Sequence, residues 1–163
     1  MAKNKEEKTN VMRVLEQKKI AYTAHTYPHE EGVAVDGVTV AQSMGFDPAI
    51  VFKTLVARGA SKQYYVFDVP VAENLDLKKA AKAVGEKSIE MLHQKELLPL
   101  TGYVHGGCSP VGMKKLFPTV FHSSAENLAA MIVSAGKIGY QVELAPHDLA
   151  ALVRAKFADL IVE

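Results

Sequence analysis

Residues 51–71 have the sequence VFKTLVARGASKQYYVFDVPV. Residues 51–57 and 64–71 are two apolar runs rich in β-branched and aromatic side chains, which is typical of β-strands. The polar residues 58–63 between them suit a hairpin loop of several residues. The sequence therefore predicts two strands that pair in an antiparallel hairpin.

Helices are predicted on both sides of this hairpin. Thr9 or Asn10 can cap a helix whose apolar positions Val11, Val14 and Leu15 follow the i, i+3, i+4 pattern. Further helices are predicted over residues 38–44 (ended by Gly45), 74–84 (ended by Gly85), 93–98 and 146–157.

The remaining apolar segments favour strands. They are residues 20–27, 88–92, 102–105, 118–121, 131–133 and a last long strand over 138–144. Few successive strands are separated by the helix that a parallel crossover needs. The chain is therefore predicted to be one α/β domain of the α+β type over residues 1–163, with a mixed and largely antiparallel sheet.

The composition excludes several classes of protein. The chain is 48% hydrophobic and 23% charged, with a net charge of +1, which argues against a disordered chain and a general nucleic-acid binder. A single cysteine, Cys108, excludes an intramolecular disulfide and fits a reducing cytosol. The lysine- and glutamate-rich residues 1–20, and the lack of any long apolar run, predict neither a signal peptide nor a membrane span. We therefore expect a cytoplasmic protein.

Lys53 is the first residue that invites a chemical role. It lies inside the otherwise mostly apolar strand 51–56, so its ammonium group must reach a polar cavity or lose solvation. The alternative is a lysine whose stem crosses an edge strand while its head reaches water. Thr54 points to the opposite face of the strand, so the two side chains would cooperate only through a bulge or a backbone contact.

Two glycine-rich stretches could form substrate loops. Residues 106–112 (GGCSPVG) can expose backbone N–H groups that converge on an anion or a carbonyl oxygen. Residues 134–139 (SAGKIG) form a second such turn. Residues 106–112 are equally consistent with a plain tight turn and match neither a Walker loop nor a dinucleotide fingerprint, and a stretch like 134–139 is alone most often a hairpin loop.

The sequence contains no recognisable protein nucleophile or metal site. Cys108 with His105 as its base would be a nucleophile pair, but in an extended segment the two side chains point to opposite faces. The other histidines lack metal-ligand spacing, and no carboxylate pair is indicated around Asp68. We predict neither a metal nor a cofactor.

In combination, four motifs resemble the YbaK/EbsC family of aminoacyl-tRNA deacylases. They are FKTL at 52–55, LDLKK at 75–79, GGCSPVG at 106–112 and SAGKIG at 134–139. The chain is most similar to the branch that acts on proline tRNA mischarged with cysteine. The resemblance covers nearly the whole chain, and it implies a compact unit around a curved, mostly antiparallel mixed sheet flanked by helices, as in the editing domain of prolyl-tRNA synthetase.

What the resemblance implies is trans-editing, the hydrolysis of the ester that joins cysteine to proline tRNA. In the related enzymes the thiol of the substrate attacks its own ester carbonyl, which gives a thiolactone and free tRNA without a protein nucleophile. The expected catalytic groups are Lys53 and the backbone N–H groups of Gly106 and Gly107. The expected substrate-binding residues are Tyr27, Thr54, Ser109, Ser134, Gly136 and Gln141. The expected partners are the 3′ aminoacyl-adenosine end of the tRNA and prolyl-tRNA synthetase.

Two departures from the family pattern leave the amino acid open. Gln141 occupies a position that is usually acidic in the cysteine-specific branch, and Ala135 replaces a usual glycine. A neutral glutamine cannot hold an α-ammonium as a carboxylate does. One alternative is therefore a deacylase for alanine, proline or serine, and another is a non-catalytic adaptor that binds aminoacyl-adenosine or a nucleotide.

Lys78, Lys79 and Lys137 are the candidates for contact with the tRNA backbone. Exposed lysines on a helix face are also simply solvated, so the pattern alone does not decide between these interpretations.

Overall fold

A computed structural model of the chain describes residues 8–163. The expected absence of a signal peptide rests partly on residues 1–7, which lie outside the described residues. The helices are α1 (Asn10–Gln17), α2 (Gly37–Met44), α3 (Leu77–Val84), α4 (Gln94–Thr101) and α5 (Pro146–Val153). The strands are β1 (Thr23–Thr26), β2 (Phe52–Gly59), β3 (Tyr64–Pro70), β4 (Ile89–Met91), β5 (Thr119–His122), β6 (Met131–Ser134), β7 (Tyr140–Leu144) and β8 (Lys156–Ala158).

The strands form two sheets. One has the order β1-β7-β6, and the other has the order β4-β2-β3-β5-β8. The pairs β1–β7, β6–β7, β2–β3 and β2–β4 are antiparallel, whereas β3–β5 and β5–β8 are parallel. The mixed and mostly antiparallel arrangement predicted from the sequence is therefore confirmed.

The central hairpin has the predicted pairing. β2 and β3 are antiparallel, with Lys53 opposite Val69 and Thr54 opposite Asp68. Because side chains alternate along a strand, Thr54 and Asp68 share one face of the sheet, and Lys53 belongs to the other. The register thus places a polar pair on the same face as the buried side chain of Phe52.

The apolar side chains pack in separate clusters around this hairpin. The largest cluster joins α1 through Val11 and Leu15 to β2, β6, β7 and α5. A second cluster packs α3 against Phe67 and Val69, and a third packs α2 against Val51 and Val71. Residues 51–57 thus contribute side chains to all three clusters, with Val51 in the third, Phe52 and Val56 in the first, and Ala57 in the second.

Local signals account for the helices that were predicted well. The Thr9 side chain accepts a hydrogen bond from the Met12 backbone N–H, which makes Thr9 the cap of α1. Gly45 and Gly85 end α2 and α3 in the left-handed conformation. The α3 segment begins at Leu77, three residues later than predicted from residue 74, because the cap is Asp76.

The predicted strand over residues 102–105 is wrong. α4 continues through Pro99 to Thr101, past the predicted end at residue 98, and it ends at Gly102 with φ +89°. The Tyr103 backbone N–H then donates to the Thr101 hydroxyl oxygen at 3.0 Å, and Gly106 has φ +90°. Local hydrogen bonds and positive φ angles therefore occupy this segment instead of a strand ladder.

The end of the chain also differs from the prediction. The helix predicted over residues 146–157 ends at Val153, because Arg154 adopts the left-handed conformation at φ +59°. The strand predicted over 138–144 begins at Tyr140 and is not the last one, since β8 follows and pairs in parallel with β5. Because β8 pairs with β5, which is distant in sequence, no local sequence pattern predicts this strand.

Candidate active site

A pocket of about 180 Å³ opens beside the N-terminal half of β2. Residues 51–55 all line it, so the pocket meets residues that point to both faces of this strand. Six of the residues predicted for the site line it, namely Tyr27, Lys53, Thr54, Gly106, Ser134 and Gln141. The predicted residues Gly107, Ser109 and Gly136 lie outside its lining.

Lys53 is partly buried in the wall of this pocket. Burial lowers the pKa of its ammonium group, and the negative charge of Glu73 acts in the opposite direction. The side chain thus places a cation of reduced solvation at the pocket, where an electrostatic interaction with a ligand is stronger than in bulk water.

The turn at Gly106 and Gly107 packs against the second glycine-rich loop. A Cβ on Gly107 would lie 3.1 Å from the Ile138 backbone nitrogen, and a Cβ on Gly106 would lie 2.7 Å from the Ala34 Cβ. The Gly107 N–H donates to the Val104 carbonyl at 3.0 Å, so it already has an acceptor within the turn. The Gly106 N–H has no acceptor among the described residues.

Ser134 lies at the entry to the second loop. It is buried, and its hydroxyl oxygen accepts a hydrogen bond from the Gly136 N–H at 3.1 Å. A Cβ on Gly136 would lie 2.9 Å from the Tyr103 ring and 3.0 Å from Val11, so Gly136 allows close packing next to the core. The loop therefore presents Ser134 to the pocket, and Gly136 supports it from behind.

Ser109 supports the first loop from inside. It is fully buried, and its hydroxyl oxygen accepts a hydrogen bond from the Val111 N–H at 3.2 Å. The Tyr103 hydroxyl donates to the Val111 carbonyl, which fixes the same stretch of backbone. Both contacts hold the loop in shape behind the pocket.

Tyr27 and Gln141 form a further part of the wall. Both are buried, and burial raises the pKa of the Tyr27 phenol. The Gln141 side-chain oxygen has no hydrogen-bond donor among the described residues. A buried amide oxygen without a donor is costly, so a bound molecule that supplied a donor would be favoured.

Asp68 is the functional candidate that sequence reasoning missed. Its side chain is fully buried behind Thr54, whose hydroxyl donates to Asp68 Oδ1 at 2.5 Å. Asp68 Oδ2 has no donor within residues 8–163. Burial raises the pKa of this carboxyl to about 7, and the hydrogen bond from Thr54 only partly opposes the rise. The signal that could have found it is a lone carboxylate in the apolar strand 64–69.

This buried carboxyl should make stability depend on pH. Because the folded pKa of about 7 lies above the unfolded value, the unfolded state releases its proton first, and stability falls as pH rises from about 4 to about 7. Asp68→Asn removes the titrating group, so at pH 8 we expect the variant to unfold at higher urea concentration than the wild type. The difference in unfolding urea concentration between the variant and the wild type should shrink towards pH 4. Asp148→Asn, at an exposed position, is the control. An Asp68→Asn variant less stable than the wild type at pH 8 would contradict a raised pKa for the Asp68 carboxyl.

Cys108 and His105 also line the pocket. Burial, reinforced by the nearby Asp68, raises the pKa of the Cys108 thiol to about 12, so at neutral pH it is not a thiolate. His105 is exposed at the turn. The pocket lining thus combines a cation, a glycine whose N–H has no acceptor among the described residues, and polar oxygens, a set that can bind an ester and stabilise an oxyanion without a protein nucleophile.

The three lysines proposed for RNA contact have different surroundings. Lys78 is exposed on α3, whereas Lys79 bonds to Asp159 at 3.0 Å and to the Ile161 carbonyl at 2.8 Å. Lys137 lies 5.3 Å above the Tyr140 ring centroid on the second glycine-rich loop. Lys79 therefore already has intramolecular acceptors, while Lys137 is the one of the three next to residues of the site.

Within residues 8–163, His, Cys, Asp and Glu side chains nowhere cluster in threes that could hold a metal ion. In the same part of the chain, no helix is long and apolar enough to cross a membrane.

Comparison with known proteins places the chain among translation-editing proteins. The family model for the aminoacyl-tRNA editing domain matches residues 32–152. A protein of Enterococcus faecalis named as a Cys-tRNA(Pro)/Cys-tRNA(Cys) deacylase, EbsC, is 46% identical over 161 residues, which is 98% of each chain. The matched range contains Lys53 and both glycine-rich loops.

Solved structures share the fold. A protein described as a trans-editing enzyme for prolyl-tRNA synthetase superimposes with a TM-score of 0.79 at 26% identity, covering 94% of this chain and 95% of the other. A hypothetical protein superimposes with a TM-score of 0.82 at 18% identity, covering 93% of this chain and 99% of the other.

Proposed function

The chain belongs to the aminoacyl-tRNA editing domain family, and we propose that it is a trans-editing deacylase that hydrolyses cysteine from mischarged proline tRNA. The observation that carries the proposal is that one small pocket is lined by both Lys53 and Gly106, whose N–H has no acceptor among the described residues. At about 180 Å³ the pocket is smaller than usual ligand sites of about 300–1,000 Å³, which suits an aminoacyl group rather than a whole nucleotide.

The pocket supplies a role for each group around the ester. Lys53 would hold the negative charge of the terminal nucleotide or of the developing oxyanion. The Gly106 N–H would donate to the carbonyl oxygen as it becomes negative, a type of contact worth about 3 kcal/mol. The unpaired Gln141 oxygen would accept a hydrogen bond from the α-ammonium, so a neutral side chain can still orient the amino acid.

The substrate's own thiol supplies the nucleophile in this proposal. Cys108 carries a thiol with a pKa of about 12, which is a poor nucleophile at neutral pH. A cysteine esterified to tRNA brings its sulfur to the ester carbonyl intramolecularly, and such proximity can replace a protein nucleophile. The name of the Enterococcus faecalis relative is what suggests cysteine as the amino acid.

The tRNA and its synthetase are the proposed partners. The similarity to a protein described as a trans-editing enzyme for prolyl-tRNA synthetase supports an interaction with that synthetase, and a substrate made in translation would place the protein in the cytoplasm. Lys137, on the second glycine-rich loop, would contact the phosphates near the 3′ end.

The proposal is tested by incubating proline tRNA charged with radiolabelled cysteine with micromolar protein. We expect release of cysteine well above the spontaneous rate in buffer, with the tRNA left intact and able to be charged again. Release no faster than in buffer would overturn the deacylase assignment and favour a non-catalytic adaptor that binds aminoacyl-adenosine.

A further inference from the structure

The proposed reaction needs a group that removes the proton of the substrate thiol, and the Thr54–Asp68 pair behind the pocket fits this need. Thr54 lines the pocket and is partly exposed, whereas Asp68 is fully enclosed on the same face of the sheet. The hydrogen bond between them runs from the Thr54 hydroxyl to Asp68 Oδ1. A proton on Thr54 therefore has a direct path to a carboxylate that solvent does not reach.

The surroundings of Asp68 keep it basic. From β2 it faces the Thr54 hydroxyl, from β5 its partner is the apolar Phe121, and from the first glycine-rich loop it faces the Cys108 thiol. Among the described residues no cation lowers the pKa of this carboxyl. The charge that acts on the pKa of Lys53 is that of Glu73 and not that of Asp68. Oδ2 also lacks a donor. A carboxylate with one hydrogen bond and no cation holds a proton more readily than an exposed one.

We propose, on the basis of the function proposed above, that Thr54 and Asp68 form a proton relay that deprotonates the thiol of the substrate. Thr54 is the residue that touches the substrate, and Asp68 is a positioning residue that orients the Thr54 hydroxyl and receives its proton. When Asp68 is ionised, the Thr54 hydroxyl donates its hydrogen bond to Asp68 Oδ1. The lone pairs of the Thr54 oxygen then face the pocket.

The step balances without a further reactant. The thiol proton moves to Thr54 Oγ1 while the Thr54 hydroxyl proton moves to Asp68 Oδ1, and the sulfur forms a bond to the ester carbonyl carbon. The carbonyl electron pair moves to the oxygen, next to the Gly106 N–H. When the tetrahedral intermediate collapses, the bond to the ribose oxygen breaks, and that oxygen takes the proton back through Thr54. The products are tRNA with a free hydroxyl and a cysteine thiolactone, which water opens.

The relay is tested by the pH dependence of single-turnover cleavage of proline tRNA charged with cysteine. The wild-type rate should rise with pH and level off near pH 7, where the carboxyl of Asp68 becomes ionised. For Asp68→Asn we expect a rate about 100-fold lower at pH 7, the usual contribution of a positioned base. The rate of the variant should keep rising with pH until the substrate thiol ionises without help, near its ordinary pKa of about 8.5. Its rate should therefore be less than about tenfold below that of the wild type at pH 9.

Matched variants separate the relay from a structural role. Thr54→Val should lose activity like Asp68→Asn, Thr54→Ser should stay within about threefold of the wild type, and KM should change little in all three. Asp148→Asn makes the same acid-to-amide change at an exposed position outside the pocket lining and should leave the pH profile unchanged. An Asp68→Asn variant with the wild-type pH profile would overturn the relay but not the deacylase function. A wild type without activity would overturn the function itself.

Discussion

Lys53→Ala is expected to lower the rate of cysteine release from proline tRNA by at least about 100-fold. The variant removes the cation that lines the pocket. Burial already lowers the pKa of this ammonium group, which indicates that it sits where water screens charge poorly. A contact with charge that develops in such a place is worth about 3 kcal/mol, or roughly two orders of magnitude in rate.

Two variants make this result specific. Lys18→Ala removes the same charge from an exposed position at the end of α1 and should leave the rate unchanged. Lys53→Arg keeps the charge but replaces a compact ammonium with a larger planar group, so we expect it to restore only a small part of the activity. If Lys53→Ala retained more than about a third of the wild-type rate, the pocket at β2 would not be the place of cleavage.

Replacing cysteine by alanine or serine on the same tRNA should slow release by at least about 100-fold. Alanine has no nucleophile, and the hydroxyl of serine holds its proton far more tightly than a thiol. Without the internal attack the reaction loses the advantage of proximity, which in well-oriented systems amounts to several kcal/mol. The measurement is the single-turnover rate for each aminoacyl-tRNA at pH 7, corrected for the rate in buffer.

Rapid release of alanine would point to a different chemistry in the same pocket. Water would then be the nucleophile, and a side chain would have to orient it. Gln141, whose oxygen has no donor among the described residues, and the exposed His105 would be the groups to test in that case. The deacylase assignment would stand, and thiol assistance would not.

The parts of the fold that the sequence predicted are those with local signals. The hairpin of β2 and β3 has two alternating apolar runs around a polar loop, and α3 has a cap at Asp76 and a stop at Gly85. By contrast, β8 exists because it pairs with β5, more than thirty residues earlier in the chain. No sequence pattern near residues 156–158 predicts that pairing.

The site was predictable where a residue type suggested chemistry and unpredictable where only packing decides. Lys53 stood out as a charge in an apolar strand, and it does line the pocket. Gly107, Ser109 and Gly136 belong to the same loops, but hydrogen bonds within the turns and close packing place them behind the wall. Their distance from the pocket follows from positive φ angles and loop contacts that sequence spacing does not reveal.

Asp68 is the clearest example of a site residue that the sequence alone does not predict. Its neighbours in sequence are apolar, so it has no partner within a few residues. Its relation to Thr54 depends on the hairpin register, and a shift by one residue would turn it to the opposite face of the sheet. Only the paired structure shows that a buried carboxyl lies directly behind a pocket residue.

If the ester is cleaved in the pocket beside β2, a crystal structure with an amide-linked cysteinyl-adenosine should show the analogue bound there. The amide cannot be cleaved like the ester, so the complex persists. We predict the amino acid inside the pocket, with its carbonyl oxygen within hydrogen-bond distance of the Gly106 N–H and its sulfur next to the Thr54 hydroxyl. An analogue bound elsewhere on the protein, with this pocket empty, would contradict cleavage at this site.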